Sequence, residues 1–306
     1  MNLRPILYLC MYVIFFSAYA CGDTWDTVIF RDDFDVPGNT PDPSRWIVNW
    51  PGSSWGTLGR TFFPSPVYHP DAPFPKVEDG KCIIEQHLYN PYDLGSPKWT
   101  LLGGEIHTIM QYEPNRPYCF EARVRNNAYP NGLVTSFFTY GYDGSNSDEI
   151  DFEFLSNKTN DNVNYPDGDP FPVNTWNESQ QWPQYVMGGN LNDWNTFRIY
   201  WFPGQRVDWT WLDPINGETL LRSETDPSRV PDEPMALFFN FWAPTADWLD
   251  AYSPDLQPVN DPSQNQIYTY EIDYVEVRVP EPGSISLLVV GAIFLSGLAT
   301  IRRVCK

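Results

Sequence analysis

Short runs of apolar, aromatic and β-branched residues follow one another between residues 28 and 278. Turn-forming residues separate these runs, supplied by the chain's 30 prolines, its 20 glycines and several Asn/Asp clusters. No long stretch shows the 3.6-residue spacing of an amphipathic helix, and no segment repeats at a fixed period. The pattern predicts an all-β domain, and 306 residues suffice for one large sandwich with a substantial core.

The clearest alternation of polar and apolar residues runs from Ser147 to Asn157. In a β-strand, every second side chain points to the same face of the sheet. One face would carry three carboxylates, those of Glu149, Asp151 and Glu153. The opposite face would carry three apolar side chains, those of Ile150, Phe152 and Phe154. Carboxylates about 6–7 Å apart along one strand repel one another, so folding alone gives no reason for this row.

Hydrolysis of a glycosidic bond does give a reason for the row. That reaction needs one carboxylate as nucleophile and one protonated carboxyl group as general acid. Crowding of like charges raises the pKa of one carboxyl group while its neighbour stays ionised. The alternation by itself is equally compatible with an acidic strand face exposed to solvent.

The spacing within the row sets a geometric condition. Retaining glycosidases hold their two carboxyl groups about 5–5.5 Å apart, whereas positions i and i+4 of a straight strand lie about 13 Å apart. Convergence of Glu149 and Glu153 therefore requires a strand curved around a concave face. Asp151 would lie between them and orient them by hydrogen bonding.

The residues of this strand, Asp148-Glu149-Ile150-Asp151-Phe152-Glu153-Phe154-Leu155, resemble the active-site strand of glycoside hydrolase family 16. The Glu-x-Asp-x-Glu spacing is similar to that of its lichenase and xyloglucan-endotransglycosylase branches. Further segments resemble the family's neighbouring strands; they are residues 103–107, 120–125, 136–140, 194–201, 239–242, 247–249 and 270–277. The resemblance covers roughly residues 28 to 278.

The resemblance implies roles for individual residues. Glu149 would be the nucleophile, Glu153 the general acid/base and Asp151 an assisting carboxylate. The residues implied to contact sugar are Glu105, His107, Asn174, Trp176, Asn240, Trp242 and Trp248. Two positions depart from the family pattern, because His107 stands where an Arg is usual and Ser147 where lichenases have a Trp. These departures leave the exact substrate open.

The resemblance further implies a jelly-roll sandwich of two antiparallel sheets with a concave substrate cleft. It implies a retaining endo-glycosidase acting on internal β-glycosidic bonds of a neutral polysaccharide such as a β-1,3/1,4-glucan. Three alternatives stay open: a transglycosylase on the same glycans, a non-catalytic glycan-binding protein of the envelope, and a structural matrix protein.

The charge of the chain narrows its partners. The formal net charge is −20 and no basic cluster is present, which argues against nucleic acid and anionic membrane surfaces. An acidic polysaccharide is disfavoured for the same reason. We expect a neutral polysaccharide substrate and a monomeric protein, and the 13 tryptophans and 18 tyrosines suit both a sugar cleft and an ordinary core.

No cofactor is expected for catalysis, but the resemblance implies a structural Ca²⁺ on the convex side. Asp33, the Gly80 carbonyl and Asp273 are its expected ligands, and such oxygen donors suit Ca²⁺. Scattered aspartates are otherwise turn formers. For Cys82 and Cys119, a disulfide and two buried thiols are both compatible with the sequence.

Both ends of the chain are predicted to be targeting segments outside the domain. Residues 1–20 have the basic start, apolar stretch and Ala-x-Ala end of a signal peptide, and Cys21 leaves lipidation open. Residues 279–306 resemble a PEP-CTERM sorting signal, with Pro280-Glu281-Pro282 before an apolar stretch from Ile285 to Ile301 and a basic tail. The resemblance implies processing by an exosortase and export to the cell envelope or matrix of a Gram-negative bacterium. A plain C-terminal transmembrane anchor is the alternative.

Overall fold

The computed structural model describes residues 24–35, 39–49, 57–127, 129–159 and 168–281. The chain divides into a large unit, residues 30–277, and a small unit formed by residues 1–29 and 278–306. The predicted signal peptide and nearly all of the predicted sorting signal lie outside the described residues. Within the described part of the chain, none of the helices has the length and apolar character that a membrane span requires.

Among the described residues, nineteen strands form two sheets, and the first part of the chain contributes ten of them. These are β1 (Thr27–Asp32), β2 (Trp46–Val48), β3 (Thr57–Leu58), β4 (Thr61–Phe62), β5 (Lys76–Glu78), β6 (Lys81–His87), β7 (Leu101–Leu102), β8 (Gly104–Thr108), β9 (Tyr118–Asn126) and β10 (Val134–Tyr142). The others are β11 (Ser147–Leu155), β12 (Asp169–Asn177), β13 (Gln180–Gln181), β14 (Gln184–Gly188), β15 (Asn195–Phe202), β16 (Arg206–Asp213), β17 (Gly217–Glu224), β18 (Ala236–Trp242) and β19 (Ile267–Val279).

Helical structure among the described residues is limited to three short segments. One is the four-residue helix α1 (Ser156–Thr159), which follows β11 directly. The other two are 3₁₀ turns, Pro227–Arg229 and Pro262–Gln264, each capped by the aspartate that precedes it. The prediction of an all-β domain is confirmed.

The two sheets have different roles. The cleft sheet has eight strands in the order β13-β12-β11-β10-β18-β8-β2, and β14 also pairs with β12. The outer sheet has eleven strands, with the path β17-β16-β15-β9-β19-β6-β7-β4-β3; in addition, β5 pairs with β6 and β1 with β19. The strands of the cleft sheet pair antiparallel, and in the outer sheet β4 and β7 pair parallel. Two antiparallel sheets packed face to face are the sandwich that the sequence predicted.

Aromatic side chains fill the space between the sheets and fix which way β11 faces. Phe137 of β10 stacks on Phe152 of β11, with ring centroids 5.7 Å apart, and on Phe239 of β18 at 5.3 Å. Phe197 of the outer sheet packs against Phe152 and Phe154 at 5.1 and 5.0 Å. Each of these rings is fully buried. Because the side chains of a strand alternate, burying this face turns the carboxylates of β11 to the other side.

The solvent-facing side of the outer sheet is held by ion pairs between neighbouring strands. Glu121 of β9 accepts a hydrogen bond from Arg198 of β15 at 2.5 Å. Arg125 of β9 donates from Nε to Glu271 of β19 at 2.8 Å, and Lys81 lies 3.1 Å from the same carboxylate. Buried carboxylates on this sheet are therefore paired with cations.

Candidate active site

The strand register of the cleft sheet arranges the side chains of its cleft face in three rows. One row across β11, β10, β18 and β8 consists of Glu153, Ser136, Asn240 and Glu105. The next, starting on β12, consists of Asn174, Asp151, Phe138, Phe238 and His107. The third consists of Trp176, Glu149, Tyr140 and Ala236. Residues opposite each other in such a ladder lie about 4.5–5.5 Å apart, so these rows form one continuous surface.

This surface forms the floor of a cleft of about 1000 Å³. All ten residues that the sequence analysis assigned to catalysis or sugar contact line it: Glu105, His107, Glu149, Asp151, Glu153, Asn174, Trp176, Asn240, Trp242 and Trp248. The structure therefore brings together residues that are up to 143 positions apart, from Glu105 to Trp248. Their individual roles stay predictions.

Burial and mutual repulsion shift the carboxylates of β11 toward their protonated forms. Burial raises the pKa of Glu149 well above its usual range, and the charges of Asp151 and Glu153 raise it further. Burial likewise raises the pKa of Glu153, with a smaller contribution from Asp151. The three groups titrate as one coupled set. The row therefore keeps protons at neutral pH, as a general acid requires.

Asp151 is the group of this row with the most stabilised charge. Burial raises its pKa to about 7, but Arg222 and hydrogen bonds with Trp176, Glu149 and Asn174 counteract that rise. The hydrogen bond between Glu149 and Asp151 raises the pKa of Glu149 and lowers that of Asp151. These effects favour a proton on Glu149 over one on Asp151 when the cleft contains no substrate.

A fourth carboxyl group, that of Glu105, lies across the cleft from this row. Burial raises its pKa to about 7, while a 3.4 Å hydrogen bond from the Asn240 amide partly opposes that rise. His107 Nδ1 lies 3.9 Å from Glu105. Burial lowers the pKa of His107 to about 4, so its imidazole is neutral at pH 7. Where the family usually has an arginine, this cleft therefore presents an uncharged ring, stacked on Phe238 with centroids 4.4 Å apart.

Six acidic residues are among the described residues that line the cleft: Glu105, Glu149, Asp151, Glu153, Asp247 and Asp250. No lysine or arginine is among the described residues of this lining. Its aromatic members include Tyr140, Trp176 and Phe238. A lining without lysine or arginine among its described residues lacks the cations that would bind an anionic polymer, and its aromatic rings offer their faces to the apolar faces of neutral sugars. The expectation of a neutral polysaccharide stays a prediction.

Two tryptophans close one end of the cleft. The rings of Trp242 and Trp248 lie 5.8 Å apart and pack against the buried side chains of Val134, Leu155 and Ala251. Trp242 ends β18, and Trp248 belongs to the loop that follows it. The loop thus folds back over the same face of the sheet that carries the carboxylates.

Sequence reasoning did not select Tyr140 or Ser136 as site residues. Tyr140 lies directly opposite Glu149 in the β10–β11 ladder, and Ser136 lies opposite Glu153. Burial raises the pKa of Tyr140, and the charge of Glu149 adds to the rise. The signal was present in the sequence, because residues 136, 138 and 140 alternate as do residues 149, 151 and 153. A β10–β11 hairpin would place the two sets side by side.

The three residues expected to bind Ca²⁺ are arranged differently from a calcium site. Asp33 forms a 2.6 Å ion pair with Arg31, and Asp273 accepts a 2.7 Å hydrogen bond from Arg123. Gly80 lies in the turn between β5 and β6 with a positive φ of 69°. Among the described residues, no three His, Cys, Asp or Glu side chains cluster closely enough to hold a metal. With both carboxylates engaged by arginines, these residues as placed do not fit Ca²⁺, and no step below uses a metal.

Cys82 and Cys119 are buried thiols and are not joined in a disulfide. Cys82 lies on β6 and Cys119 on β9, and β19 separates these two strands in the outer sheet. Two strand spacings are about 10 Å, which exceeds the separation that a disulfide bridges. Of the two possibilities that the sequence left open, the structure has the thiols.

A family model decides the classification. The model described as "Glycosyl hydrolases family 16" matches residues 92–276. The chain belongs to glycoside hydrolase family 16. The matched region includes the whole of β11 and the strands that border it in the cleft sheet, so the family assignment rests on the part of the chain that forms the cleft.

Solved structures show the same fold. A prokaryotic β-1,3-1,4-glucanase (lichenase) derived from a mouse hindgut metagenome has 21% identity and a TM-score of 0.58, covering 82% of this chain and 98% of that one. The endo-β-1,3-glucanase of Pyrococcus furiosus has 17% identity and a TM-score of 0.61, covering 84% and 95%. An immunostimulatory antigen and pseudo β-1,3-glucanase of Mycobacterium tuberculosis has 18% identity and a TM-score of 0.55, covering 83% and 100%. The predicted jelly roll is confirmed. A search of the curated proteins finds no match.

Proposed function

We propose that this family 16 member is a retaining endo-glycosidase that hydrolyses internal β-glycosidic bonds of a neutral glucan, such as a β-1,3/1,4-glucan. The observation that carries the proposal is the row of three carboxyl groups on β11, which lines a cleft without lysine or arginine among its described lining. Burial raises the pKa of each member of this row, and repulsion adds to the rise for Glu149 and Glu153. Two of the structural relatives are named as β-glucanases.

In the proposed reaction, Glu149 attacks the anomeric carbon and Glu153 protonates the departing glycosidic oxygen. Asp151 accepts the proton that Glu149 holds in the absence of substrate, which leaves Glu149 ionised for attack. The glycosidic bond breaks, and an ester bond forms between the sugar and Glu149. Formation of the ester removes the charge of Glu149, so Glu153 becomes a stronger acid and is left ionised. Glu153 then takes a proton from water, whose oxygen attacks the anomeric carbon; the bond from that carbon to Glu149 breaks, which frees the Glu149 carboxylate and releases the second product.

The remaining cleft residues would hold the polymer. Trp242 and Trp248 offer ring faces at one end of the cleft, and Trp176 lies beside Glu149. Glu105 and Asn240 offer a carboxyl group and an amide within one row, close enough to bind sugar hydroxyls. The neutral His107 would contact sugar by stacking and hydrogen bonding rather than by charge.

The first experiment is reducing-sugar release by the purified protein from mixed-linkage β-glucan, laminarin, xyloglucan and agarose. We expect release from at least one of the β-glucans, and none from the Glu149→Gln variant. Glu113→Gln, which changes an exposed glutamate outside the cleft, is the control and should retain full activity. Release that persists in Glu149→Gln would overturn the proposed mechanism. Addition of an oligosaccharide acceptor would distinguish hydrolysis from transglycosylation, because a transglycosylase forms lengthened products.

A second candidate function is glycan binding without turnover. The observation that favours it is the likeness to a fold relative named as a pseudo β-1,3-glucanase. In that case the wild type and Glu149→Gln would bind the same glucan with equal affinity in affinity electrophoresis, and neither would release sugar. The full set of carboxyl groups in the cleft favours the enzyme.

We also propose that the protein is exported, on the basis of the two terminal segments recognised in the sequence. Cell fractionation of the native bacterium, with mass spectrometry of the mature ends, tests the proposal. Mature protein that begins after residue 20 and ends near the Pro280-Glu281-Pro282 segment would support export and exosortase processing. An unprocessed chain in the cytoplasm would contradict both.

A further inference from the structure

A buried ion pair lies behind the cleft sheet, on the side away from the substrate. Arg222 and Glu224 belong to β17 of the outer sheet, and Arg222 Nη2 donates to Glu224 Oε2 at 2.9 Å. Both side chains are nearly inaccessible, with exposed fractions of 6% and 10%. Arg222 Nε is buried without a hydrogen-bond partner. A buried ion pair with an unsatisfied donor is a poor source of folding stability, so the pair asks for another explanation.

Two chains of contacts lead from Arg222 to Asp151. In the first, Arg222 Nη1 donates to the backbone oxygen of Trp182 at 2.8 Å, and the Trp182 amide donates to Asn174 Oδ1 at 2.9 Å. Asn174 lies directly opposite Asp151 in the β11–β12 ladder. Since its carbonyl oxygen is occupied by Trp182, its amide nitrogen is the atom left to face Asp151. Arg222 thereby fixes the donor that supports the Asp151 carboxylate.

The second chain runs through the core. The Arg222 guanidinium lies over the Trp209 ring, 4.9 Å from its centroid, and Trp209 Nε1 donates to the backbone oxygen of Asp151 at 3.0 Å. Arg222 Nη1 also donates to the Val173 oxygen at 3.0 Å, on the strand beside Asp151. One guanidinium therefore holds both the strand that carries Asp151 and the strand next to it.

Charge adds to these contacts. Burial raises the pKa of Asp151 and the positive charge of Arg222 opposes that rise; burial lowers the pKa of Arg222, and the charges of Glu224 and Asp151 oppose that fall. The other ionisable groups near Asp151 are Glu149 and Glu153 on its own strand and Glu105, His107 and Tyr140 across the cleft. None of these supplies a positive charge at neutral pH, because burial keeps His107 neutral. Near Arg222, Glu224 opposes its charge, and Arg229 lies 3.8 Å from Glu224.

We propose that the Arg222–Glu224 pair is a positioning device that acts through Asp151 and sets the lower pH limit of the reaction. Arg222 favours the first ionisation in the carboxyl row. It also fixes Asn174, whose amide faces the Asp151 carboxylate that forms. Glu224 moderates this effect by neutralising part of the Arg222 charge. Neither residue lines the cleft, so both act on the site from behind. The inference rests on the proposed function for its kinetic readout only.

The two members of the pair should shift the pH dependence in opposite directions. In Arg222→Gln the acidic limb of the kcat/KM profile should move to higher pH, by about one pH unit, the low end of the effect of a neighbouring charge. In Glu224→Gln the same limb should move to lower pH, because the charge of Arg222 is no longer offset. Arg222→Lys keeps the charge and should return the limb most of the way to its wild-type position.

Arg206→Gln is the matched control. Arg206 lies on the adjacent strand β16, pairs with Asp208 at 2.8 Å and lies over the Phe202 ring at 4.1 Å, but it is 45% exposed. It thus shares the chemistry of Arg222 without the route to Asp151. Its variant should leave the profile unchanged.

A readout that needs no turnover is the titration of ¹³C-labelled aspartate carboxyl groups by NMR, with the Asp151 signal identified by its loss in Asp151→Asn. Its midpoint should rise in Arg222→Gln, fall in Glu224→Gln and stay in Arg206→Gln. Equal midpoints in all variants, or shifts of the same sign in Arg222→Gln and Glu224→Gln, would overturn the proposal. If Arg222→Gln does not fold, the direction of the shift in Glu224→Gln decides. A wild type without activity on any glucan would refute the proposed function and leave this titration test intact.

Discussion

Two strands of this protein carry the same tripeptide in opposite electrostatic surroundings. β11 contains Glu149-Ile150-Asp151 and β19 contains Glu271-Ile272-Asp273. The isoleucine is fully buried in both, so the two tripeptides present their carboxylates by the same alternation. In β19, Arg125 and Lys81 bind Glu271, and Arg123 binds Asp273. In β11, the carboxylates lie side by side along the floor of a cleft that has no lysine or arginine among its described lining.

The difference separates stability from chemistry. Cation-paired carboxylates remain ionised and tie neighbouring strands together. Carboxylates crowded without cations at their side chains keep protons, which costs stability but provides an acid at neutral pH. The arginine closest in effect to the β11 row, Arg222, reaches Asp151 through backbone and ring contacts rather than by a direct ion pair. Arg222 of the outer sheet thus influences the ionisation of the β11 row from the side away from the cleft, and the cleft side keeps its acidic groups.

The largest expected effect comes from exchanging the first glutamate of each tripeptide for glutamine. Glu149→Gln should abolish glucan hydrolysis, a loss beyond the factor of about 10²–10⁴ that a general acid contributes, because no nucleophile remains. Glu271→Gln should keep most of the activity and lose stability instead. Steady-state kinetics and thermal unfolding of both variants test the contrast. Equal loss of activity in the two variants would show that the strands are not functionally distinct.

The next effect concerns Glu153. Glu153→Gln should reduce hydrolysis of a polymeric glucan by about 10²–10⁴-fold, because the leaving oxygen receives no proton. An aryl glycoside with an acidic phenol needs no such proton, so its first step should be far less impaired. Comparison of burst and steady-state rates on both substrates measures this difference. An equal loss on both substrates would remove Glu153 from the role of general acid.

A smaller effect is expected on the stability that the ion pairs of β19 provide. Arg125→Gln leaves Glu271 with Lys81 alone, and we expect the free energy of unfolding to fall by about 1–3 kcal/mol. Urea denaturation measures this loss. The exposed pair of Arg206 and Asp208 is the control, since removal of a surface ion pair costs only about 0–1 kcal/mol. A loss no greater than that of Arg206→Gln would show that the β19 carboxylates need no cation.

The smallest expected effect is the pH dependence of stability that arises from the carboxyl groups of β11. The pKa of Asp151 is raised to about 7 from 3.8, so the folded state keeps a proton that the unfolded chain releases. The stabilisation that this proton gives the folded state is complete below pH 4 and is lost as the pH rises toward 7. Over that pH interval, Asp151→Asn should therefore gain stability relative to the wild type. We expect a gain of about 1 kcal/mol, which is less than the free energy of a shift by one pKa unit, because Glu149 and Glu153 take up part of the charge. Urea denaturation at pH 4 and pH 8 tests this; a gap that narrows with pH contradicts it.

The sequence allowed much of the site to be anticipated where local geometry governs it. Alternation placed Glu149, Asp151 and Glu153 on one face of a strand, since the period of two is a property of the backbone. The family resemblance supplied the distant members, such as Asn240 and Trp248. It also pointed to Asn174 and Trp176, which lie opposite Asp151 and Glu149 in the β11–β12 ladder, and their contact with sugar stays a prediction. It also pointed to Asp33 and Asp273 as calcium ligands, whereas both pair with arginines in the structure.

Other parts of the site had no signal in the local pattern. Tyr140 could have been found from the alternation of β10, but only if the pairing of β10 with β11 was assumed. Arg222 could not have been found, because it is 71 positions after Asp151 and belongs to the other sheet. Its relation to Asp151 depends on the way the sheets pack, through Trp209 and Trp182.

The sequence by itself thus determined the fold class, the face of each strand and the identity of the acidic row. Tertiary structure decided the electrostatic surroundings of each acidic row, because Glu-Ile-Asp occurs in both β11 and β19 and the β19 carboxylates are the ones paired with arginines. The physical reason is that alternation is fixed by bonds along the chain, whereas the pKa of a carboxyl group depends on the charges that folding places around it. Pairing with β9 gives Glu271 and Asp273 their arginines, and pairing with β10 and β12 gives Glu149 and Asp151 a tyrosine, a tryptophan and an amide.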